Sequence, residues 1–243
     1  MQMPPLLIVA HGQPSDPERA EAELVVLGAA VALHLPGRQV QTATLAAPGR
    51  LAAALTELGP GGRVYPLFMA GGWFTRVHLP GRLALAGAQG WRVLEPMGCD
   101  PDVHELAVKI VAEAGDVGSV ILAAHGSGQS PVPADIANHV AGLIGARLGR
   151  ARCEAAFIDQ APRLADLKEL GAEAICLPFF AASGGHVNID IPEALAEAGF
   201  GGRILPALGL DARLPALIAA AVLADKPVCA AECAWRRSYT VCR

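Results

Sequence analysis

Histidines stand at the ends of predicted strands in this sequence, where they could bind a metal ion. His11 and His125 each follow an apolar run directly, and each is followed by glycine. His186 follows two glycines, shortly after another apolar run. In parallel α/β sheets, ligands bind beyond the carboxyl ends of the strands, so these imidazoles are expected at a binding edge. Two neutral imidazoles in one cleft suit a borderline divalent cation such as Co²⁺, Fe²⁺ or Ni²⁺.

A carboxylate accompanies the two histidines of the second half. Asp159 follows the apolar run 155–158 and precedes Gln-Ala-Pro162. A carboxylate in this position could take up protons that a metal ion displaces from its ligand. An isolated aspartate before a proline is more often a turn residue or a helix cap. Asp159 is therefore a candidate because His125 and His186 follow other strands of the same half.

The elements that carry these residues form an internal repeat. Three segments recur in the same order at nearly constant spacing: Leu6–Gly12 matches Val120–Gly126 (114 residues apart), Pro66–Pro80 matches Pro178–Pro192 (112 apart), and Arg92–Asp100 matches Arg203–Asp211 (111 apart). One such match could be chance. Three in order indicate a duplicated unit.

Strands and helices are predicted to alternate in each half. Apolar runs without period-2 alternation are typical of strands buried on both faces; these are 6–10, 64–69, 92–94, 120–124, 155–158, 174–180 and 203–207. Alanine-rich stretches suit helices, namely Pro17–His34, Arg50–Leu58, Ala134–Leu148 and Ile191–Ala198. We therefore expect an α/β protein with two similar, doubly wound parallel-sheet halves that face each other across a cleft. The predicted domains are residues 1–115, 116–226 and a cysteine-containing tail, 227–243.

The second half resembles the class II tetrapyrrole chelatases, the sirohydrochlorin cobaltochelatase and ferrochelatase family, in its long and duplicated form. The resemblance covers most of residues 5–222, and its most specific part is Gly184-Gly-His186 followed by Asp190-Ile-Pro. The other matching motifs are His125-Gly-Ser127 and the acid before Gln-Ala-Pro162.

This resemblance implies a lyase that inserts a divalent metal into sirohydrochlorin or a related tetrapyrrole without ATP. Co²⁺ is the expected metal and Fe²⁺ the next, in cobalamin or siroheme biosynthesis. The metal is then a substrate, and no tightly bound cofactor is expected. His125 and His186 match the family's metal-binding pair, and Asp159 matches an acid that is often glutamate. Substrate contacts are expected from the neighbouring Ser127, Gly184, Gly185 and Asn188.

The first half departs from this pattern. Aligning the repeats places Phe74 opposite His186, His78 opposite Asp190, and Leu45 opposite Asp159. Only His11 survives, which predicts that this half kept its fold and lost its metal site. His11, Trp73 and Phe74 then become candidates for an apolar wall against the macrocycle, although core packing explains the aromatic residues equally well. Arg76 is the local candidate for a substrate carboxylate, with a solvated surface charge as the alternative.

Composition excludes several other functions. The net charge of −4, without a run of lysine or arginine, argues against nucleic acid binding. The apolar run Leu214–Ala224 is too short to span a bilayer, and the apolar start has no charged region before it, which favours a cytoplasmic protein. No nucleophile elbow or phosphate-binding loop is present. Either a monomer or a homodimer fits the sequence.

Two alternatives stay open. The chain could be a non-catalytic metal or tetrapyrrole carrier that descends from a chelatase. The tail cysteines, Cys229, Cys233 and Cys242, could hold an iron–sulfur cluster or a metal only with a further ligand, so an ordinary tail is favoured.

Overall fold

The computed structural model describes residues 3–115, 118–149 and 152–227, and these residues form two four-stranded parallel sheets. The strand order is β2-β1-β3-β4 in the first sheet and β6-β5-β7-β8 in the second. The strands are β1 Leu6–Ala10, β2 Val40–Thr44, β3 Gly62–Pro66, β4 Trp91–Val93, β5 Ser119–Ala124, β6 Arg152–Phe157, β7 Ile175–Pro178 and β8 Arg203–Ile204. The predicted α/β class and the doubled parallel sheet are confirmed.

Helices alternate with these strands, as right-handed βαβ crossovers require. They are α1 Pro17–Leu33, α2 Arg50–Leu58, α3 Leu79–Leu85, α4 Pro101–Glu113, α5 Val132–Leu148, α6 Ile191–Glu197 and α7 Leu214–Ala224. The four predicted helices agree with α1, α2, α5 and α6 to within two residues at each end. Among the residues that the structure describes, none of these helices is long and apolar enough to cross a membrane.

Strand β2 was not predicted, because its sequence lacks the apolar run on which the other strands were recognised. It reads Val-Gln-Thr-Ala-Thr and lies at the edge of its sheet, beside β1. An edge strand meets a neighbour on one side only, so it tolerates polar residues such as Gln41. The central strand β1 behaves in the opposite way, since Leu6 to Val9 are fully buried.

The compact units of the structure differ from the predicted domains. One unit comprises the residues up to Asp100 and a segment that begins at Ala212, and the other comprises Pro101–Asp211. Helix α4 ends the first sequence repeat but packs against α5 of the second unit, while α7 ends the second repeat and packs against α1 of the first. The packed units therefore divide at 100/101 and 211/212, while the predicted domains follow the sequence repeats. A repeat is recognised by its order along the chain, whereas a unit is defined by which side chains bury one another.

Candidate functional site

Three polar side chains of the second unit lie together at the carboxyl edge of its sheet. His125 directly follows β5, and Asp159 comes two residues after β6, the neighbouring strand. The strand pairing continues past the strand ends, since the Asp159 N–H donates to the His125 carbonyl at 3.0 Å. The Asp159 carboxylate consequently lies beside the imidazole, with its Oδ2 3.4 Å from Nδ1 of His125.

His186 reaches the same edge from a wide helical turn. After β7 the chain forms a π-helical turn, His186–Asp190, which continues directly into α6. The rings of His125 and His186 meet edge to face, with their centroids 4.6 Å apart. Turns of this kind are rare and occur frequently at functional sites. The structure thus brings together the two histidines and the aspartate that the sequence singled out.

Asp190 is a fourth member of the site, and its contact with His186 was missed. Its Oδ2 lies 2.6 Å from Nδ1 of His186, because residues four apart face the same side of the turn. The four-residue spacing of His186 and Asp190 is the feature of the sequence that could have predicted this contact. A carboxylate on a histidine's second nitrogen fixes the ring orientation and raises its basicity toward a metal ion.

Both imidazoles are held so that Nε2 is the nitrogen available to a metal. Nδ1 of His125 lies 3.1 Å from the Gly126 carbonyl oxygen, and Nδ1 of His186 lies beside Asp190. These oxygens accept hydrogen bonds, so Nδ1 is the donor in each contact and Nε2 is the nitrogen that could face a metal ion. Within residues 3–115, 118–149 and 152–227, no group of three or more His, Cys, Asp or Glu side chains is arranged to hold a metal ion. The site therefore has two histidines, with the Asp159 carboxylate beside Nδ1 of His125 and the Asp190 carboxylate beside Nδ1 of His186.

Gln160 connects the two loops that carry His125 and Asp159. Its Oε1 accepts a hydrogen bond of 2.7 Å from the Ser127 N–H. The neighbouring Gly126 has φ +76°, and a Cβ there would lie 2.6 Å from Cγ of Gln160. Gln160 was not predicted as a site residue. Ser127 thus has a structural role through its backbone, and its predicted contact with substrate stays a prediction.

The loop that carries His186 packs closely against the backbone of Gly209. Gly209 donates its N–H to the Phe180 carbonyl at 2.9 Å, and a Cβ on Gly209 would lie 2.0 Å from the Ala181 carbonyl oxygen. The repeat has the same arrangement, since a Cβ on Gly98 would lie 2.0 Å from the Met69 carbonyl oxygen. Only glycine permits this approach of two backbones.

Replacing Gly209 by alanine is expected to displace the His186 loop, because the obstacle is backbone and cannot rotate away. We expect a loss of about 1–3 kcal/mol in the free energy of unfolding, together with weaker Co²⁺ binding. Thermal unfolding and Co²⁺ titration measure the two effects. Gly201→Ala is the matched control, since its nearest contact would be 4.0 Å away. Unchanged stability and unchanged Co²⁺ affinity in Gly209→Ala would refute the close-approach argument.

The other predicted residues of the second unit surround His186. The Gly184 carbonyl accepts hydrogen bonds from the N–H groups of Val187 and Asn188, at 3.1 and 2.9 Å, so it starts the π-helical turn. Gly185 is the residue before His186 and has right-handed helical dihedral angles. Asn188 has an exposed side chain. Substrate contacts by Gly184, Gly185 and Asn188 remain predictions.

The first unit repeats this geometry with different chemistry. His11 follows β1, and its ring centroid lies 4.6 Å from that of Phe74, in the same edge-to-face arrangement as the histidine pair. Phe74 begins a π-helical turn that ends at His78. Trp73 stacks on His78 with centroids 4.9 Å apart, and 56% of Trp73 is exposed. The carboxyl edge of the first sheet therefore presents an aromatic cluster in place of a second histidine pair.

The predicted equivalence of Leu45 and Asp159 is wrong by one residue. The N–H that donates to the His11 carbonyl belongs to Ala46, just as the N–H that donates to the His125 carbonyl belongs to Asp159. The alignment on the prolines failed because the loop between strand and proline is one residue shorter in the first unit. Leu45 is buried instead.

The Arg76 side chain packs against the loop that precedes it. Its guanidinium packs over Gly71 and beside Cys99, so that a Cβ on Gly71 would lie 3.2 Å from Nη2 of Arg76. The Nε atom is buried. A contact between Arg76 and a substrate carboxylate remains a prediction.

Cys229, Cys233 and Cys242 lie outside the described residues.

Known proteins match this chain in sequence and in fold. The CbiX family model matches residues 119–224. The structure of CbiX described as the terminal enzyme for biosynthesis of siroheme in denitrifying bacteria is 42% identical with a TM-score of 0.84, and the match covers 90% of this chain and 98% of that chain. The comparison with curated proteins gives no match.

Two more distant structures share the fold. SirB from Bacillus subtilis with Fe³⁺ is 15% identical with a TM-score of 0.71, and 93% of this chain and 94% of that chain are covered. The sirohydrochlorin chelatase SirB from Bacillus subtilis subspecies spizizenii in complex with cobalt is 14% identical with a TM-score of 0.67, with the same coverage of 93% and 94%. At this level of identity, these matches support the fold alone.

Proposed function

Because the chain belongs to the CbiX family, we propose that it inserts a divalent metal ion into sirohydrochlorin, with His125 and His186 delivering the metal. The observation that carries this proposal is the pair of imidazoles in contact, with their centroids 4.6 Å apart and their Nδ1 atoms held by oxygen acceptors. This arrangement suits a metal that must be bound and then released, because two ligands hold it less firmly than a closed set of four.

The reaction exchanges one metal ion for two pyrrole protons. The free macrocycle carries two N–H groups, and the metal replaces both hydrogens as its bonds to the histidine nitrogens give way to bonds to the four ring nitrogens. Asp159 is the proposed acceptor for a proton, since its carboxylate lies at the site and is about half exposed, which lets the proton pass on to solvent. Orienting the ring over the metal supplies much of the rate, and nucleotide hydrolysis is not needed.

The macrocycle requires apolar surface as well as polar groups. Trp73 and Phe74 provide such a surface at the carboxyl edge of the first sheet, and Phe74 also packs against His11. Aromatic rings bind flat conjugated ligands through large contact areas and preferred stacking geometries. Contacts of His11, Trp73 and Phe74 with the macrocycle remain predictions from the sequence.

Iron is the proposed physiological metal. The CbiX structure that is 42% identical to this chain is described as an enzyme of siroheme biosynthesis, and siroheme contains iron. This differs from the preference for Co²⁺, which had come from the family resemblance. Imidazole ligands accept both metals, and the distant SirB structure holds cobalt. The metal used in the cell then depends on supply as well as on the site.

The proposal is tested by following the absorbance of sirohydrochlorin anaerobically, with catalytic amounts of protein, no ATP, and Fe²⁺ or Co²⁺ at equal free concentrations. We expect many turnovers per protein with either metal, at a rate well above that of the protein-free control. A spectral change that stops at one equivalent of protein would instead support the carrier function. Absence of any response to sirohydrochlorin would refute the substrate assignment.

A further inference from the structure

Three arginines gather at the amino edge of the first sheet, opposite to the edge that carries His11. Arg63 is the second residue of β3 and Arg92 the second residue of β4, while Arg38 lies two residues before β2. The C-terminal end of α7 brings Asp225 to the same place. No step of the proposed reaction uses these residues.

Asp225 is already fully engaged with two of the arginines. Arg63 binds both carboxylate oxygens, with its Nη2 2.9 Å from Oδ2 and its Nε on Oδ1. Arg92 donates to Oδ2 at 3.2 Å and to the Asp225 carbonyl at 3.0 Å. The hydrogen bond from Arg63 lowers the pKa of the Asp225 carboxyl below its usual value. A carboxylate at a helix C-terminus is otherwise unfavourable, because it faces the negative end of the helix dipole.

Two nitrogen atoms of the Arg38 guanidinium have no hydrogen-bond partner among the described residues. Its Nε and Nη1 atoms are buried, and no acceptor within the described part of the chain lies within hydrogen-bonding distance of them. Buried N–H groups without acceptors are costly, and those of a charged group are the most costly. Burial, followed by repulsion from Arg63, lowers the pKa of the Arg38 guanidinium, and the attraction of Asp225 offsets these effects only in part. The unpaired N–H groups and the lowered pKa both indicate that an anion bound here would stabilise Arg38.

The charges of the cluster define what would satisfy it. Three guanidinium groups against one carboxylate leave an excess of two positive charges, which a dianion would balance. Guanidinium groups present their N–H donors in a planar fork that matches the oxygens of phosphate. The position is reachable from solvent, since 43% of the Arg92 side chain and 23% of the Arg63 side chain are exposed.

We propose that the cluster of Arg38, Arg63 and Arg92 is a binding site for a phosphate dianion or a phosphoryl group, toward which the Arg38 guanidinium turns its unpaired N–H groups. The site lies within the first unit at the sheet edge remote from His11 and is independent of the proposed metal insertion. A bound phosphate would complete the hydrogen bonds of Arg38 and remove the repulsion between Arg38 and Arg63. It would also fasten the end of α7 to the sheet.

Thermal unfolding of the full chain tests this site. Inorganic phosphate, replacing chloride at constant ionic strength and pH 7.5, should raise the melting temperature by about 2–4 °C once its concentration is several times the dissociation constant. Isothermal titration should give one phosphate per chain. Acetate at the same ionic strength should give less than half of this rise, because it carries one charge; an equal rise with acetate would overturn the assignment of a dianion.

Variants of Arg38 separate a binding role from a structural role. Arg38→Gln should fold, since Nε and Nη1 of Arg38 make no hydrogen bond within the described residues that the substitution could remove, and it should no longer respond to phosphate. Arg38→Lys keeps the positive charge but lacks the planar set of N–H donors of a guanidinium, so it should weaken phosphate binding at least about 5-fold. Arg19→Gln removes an exposed arginine of the same unit and should respond like the wild type. A phosphate response that is unchanged in both Arg38 variants, or missing in the wild type, would refute the proposal. Metal insertion should continue in all three variants.

Discussion

Replacing His186 by alanine should reduce the metallation of sirohydrochlorin at least about 100-fold, to a rate near that of the protein-free reaction. His186 supplies one of the two nitrogens of the proposed metal pair, and its ring contacts that of His125 at 4.6 Å. His125 alone would bind the metal ion too weakly to present it to the macrocycle. The effect should appear in kcat as well as in the dependence on metal concentration. Anaerobic absorbance kinetics measure both.

The His186 side chain is about half exposed, so its removal should leave the fold intact. Circular dichroism and the melting temperature check this. His34→Ala is a matched control, since His34 is an exposed histidine at the end of α1. His11→Ala should have a smaller effect than His186→Ala, because its ring neighbour is Phe74 and the pair cannot hold a metal ion. Full activity of His186→Ala would sink the assignment of the metal pair.

Replacing Asp190 by alanine should lower metallation about 10- to 100-fold, although Asp190 itself need not touch the metal. Its carboxylate lies 2.6 Å from Nδ1 of His186 and keeps the proton on that nitrogen. Without it, the ring can rotate and its Nε2 becomes a weaker ligand. We expect the metal concentration for half-maximal rate to rise more than kcat falls. Steady-state kinetics at varied Fe²⁺ or Co²⁺ separate the two quantities.

The conservative variant distinguishes orientation from charge. Asp190→Asn keeps an oxygen that can accept the Nδ1–H hydrogen bond, so it should recover part of the metal affinity that the alanine variant loses. Glu197→Gln removes another exposed carboxylate, in the last turn of α6, and should behave like the wild type. If the half-saturating metal concentration is the same in Asp190→Ala and in the wild type, Asp190 does not position His186.

Much of this protein could be predicted from the sequence because the relevant information is local or repeated. The strand–helix alternation follows from apolar runs and alanine-rich stretches, and the doubling follows from three matched segments. His125, Asp159 and His186 were singled out because each comes shortly after a predicted strand. In a parallel sheet such positions share one edge, so their proximity followed without knowledge of any distance.

The tertiary structure decided what depends on contacts between distant segments. The sequence repeats end with α4 and α7, but α4 packs against α5 and α7 packs against α1, so each helix contacts an element of the other repeat, and no local sequence pattern predicts this. Ala46, rather than Leu45, corresponds to Asp159, because strand pairing sets the register and the loop lengths differ. Gly209 is required only because the backbone at Ala181 passes within contact distance.

Among the charged contacts, some could have been predicted from the sequence and others depend on the tertiary structure. The pairing of His186 with Asp190 could have been read from their spacing, had the π-helical turn been foreseen. The gathering of Arg38, Arg63 and Arg92 around Asp225 could not, because these residues are separated by up to 187 positions along the chain and meet only where α7 returns to the first sheet. The sequence by itself determined the chemistry of the residues and the order of the elements. The packing of those elements determined which residues meet, since burial and strand pairing depend on the whole chain.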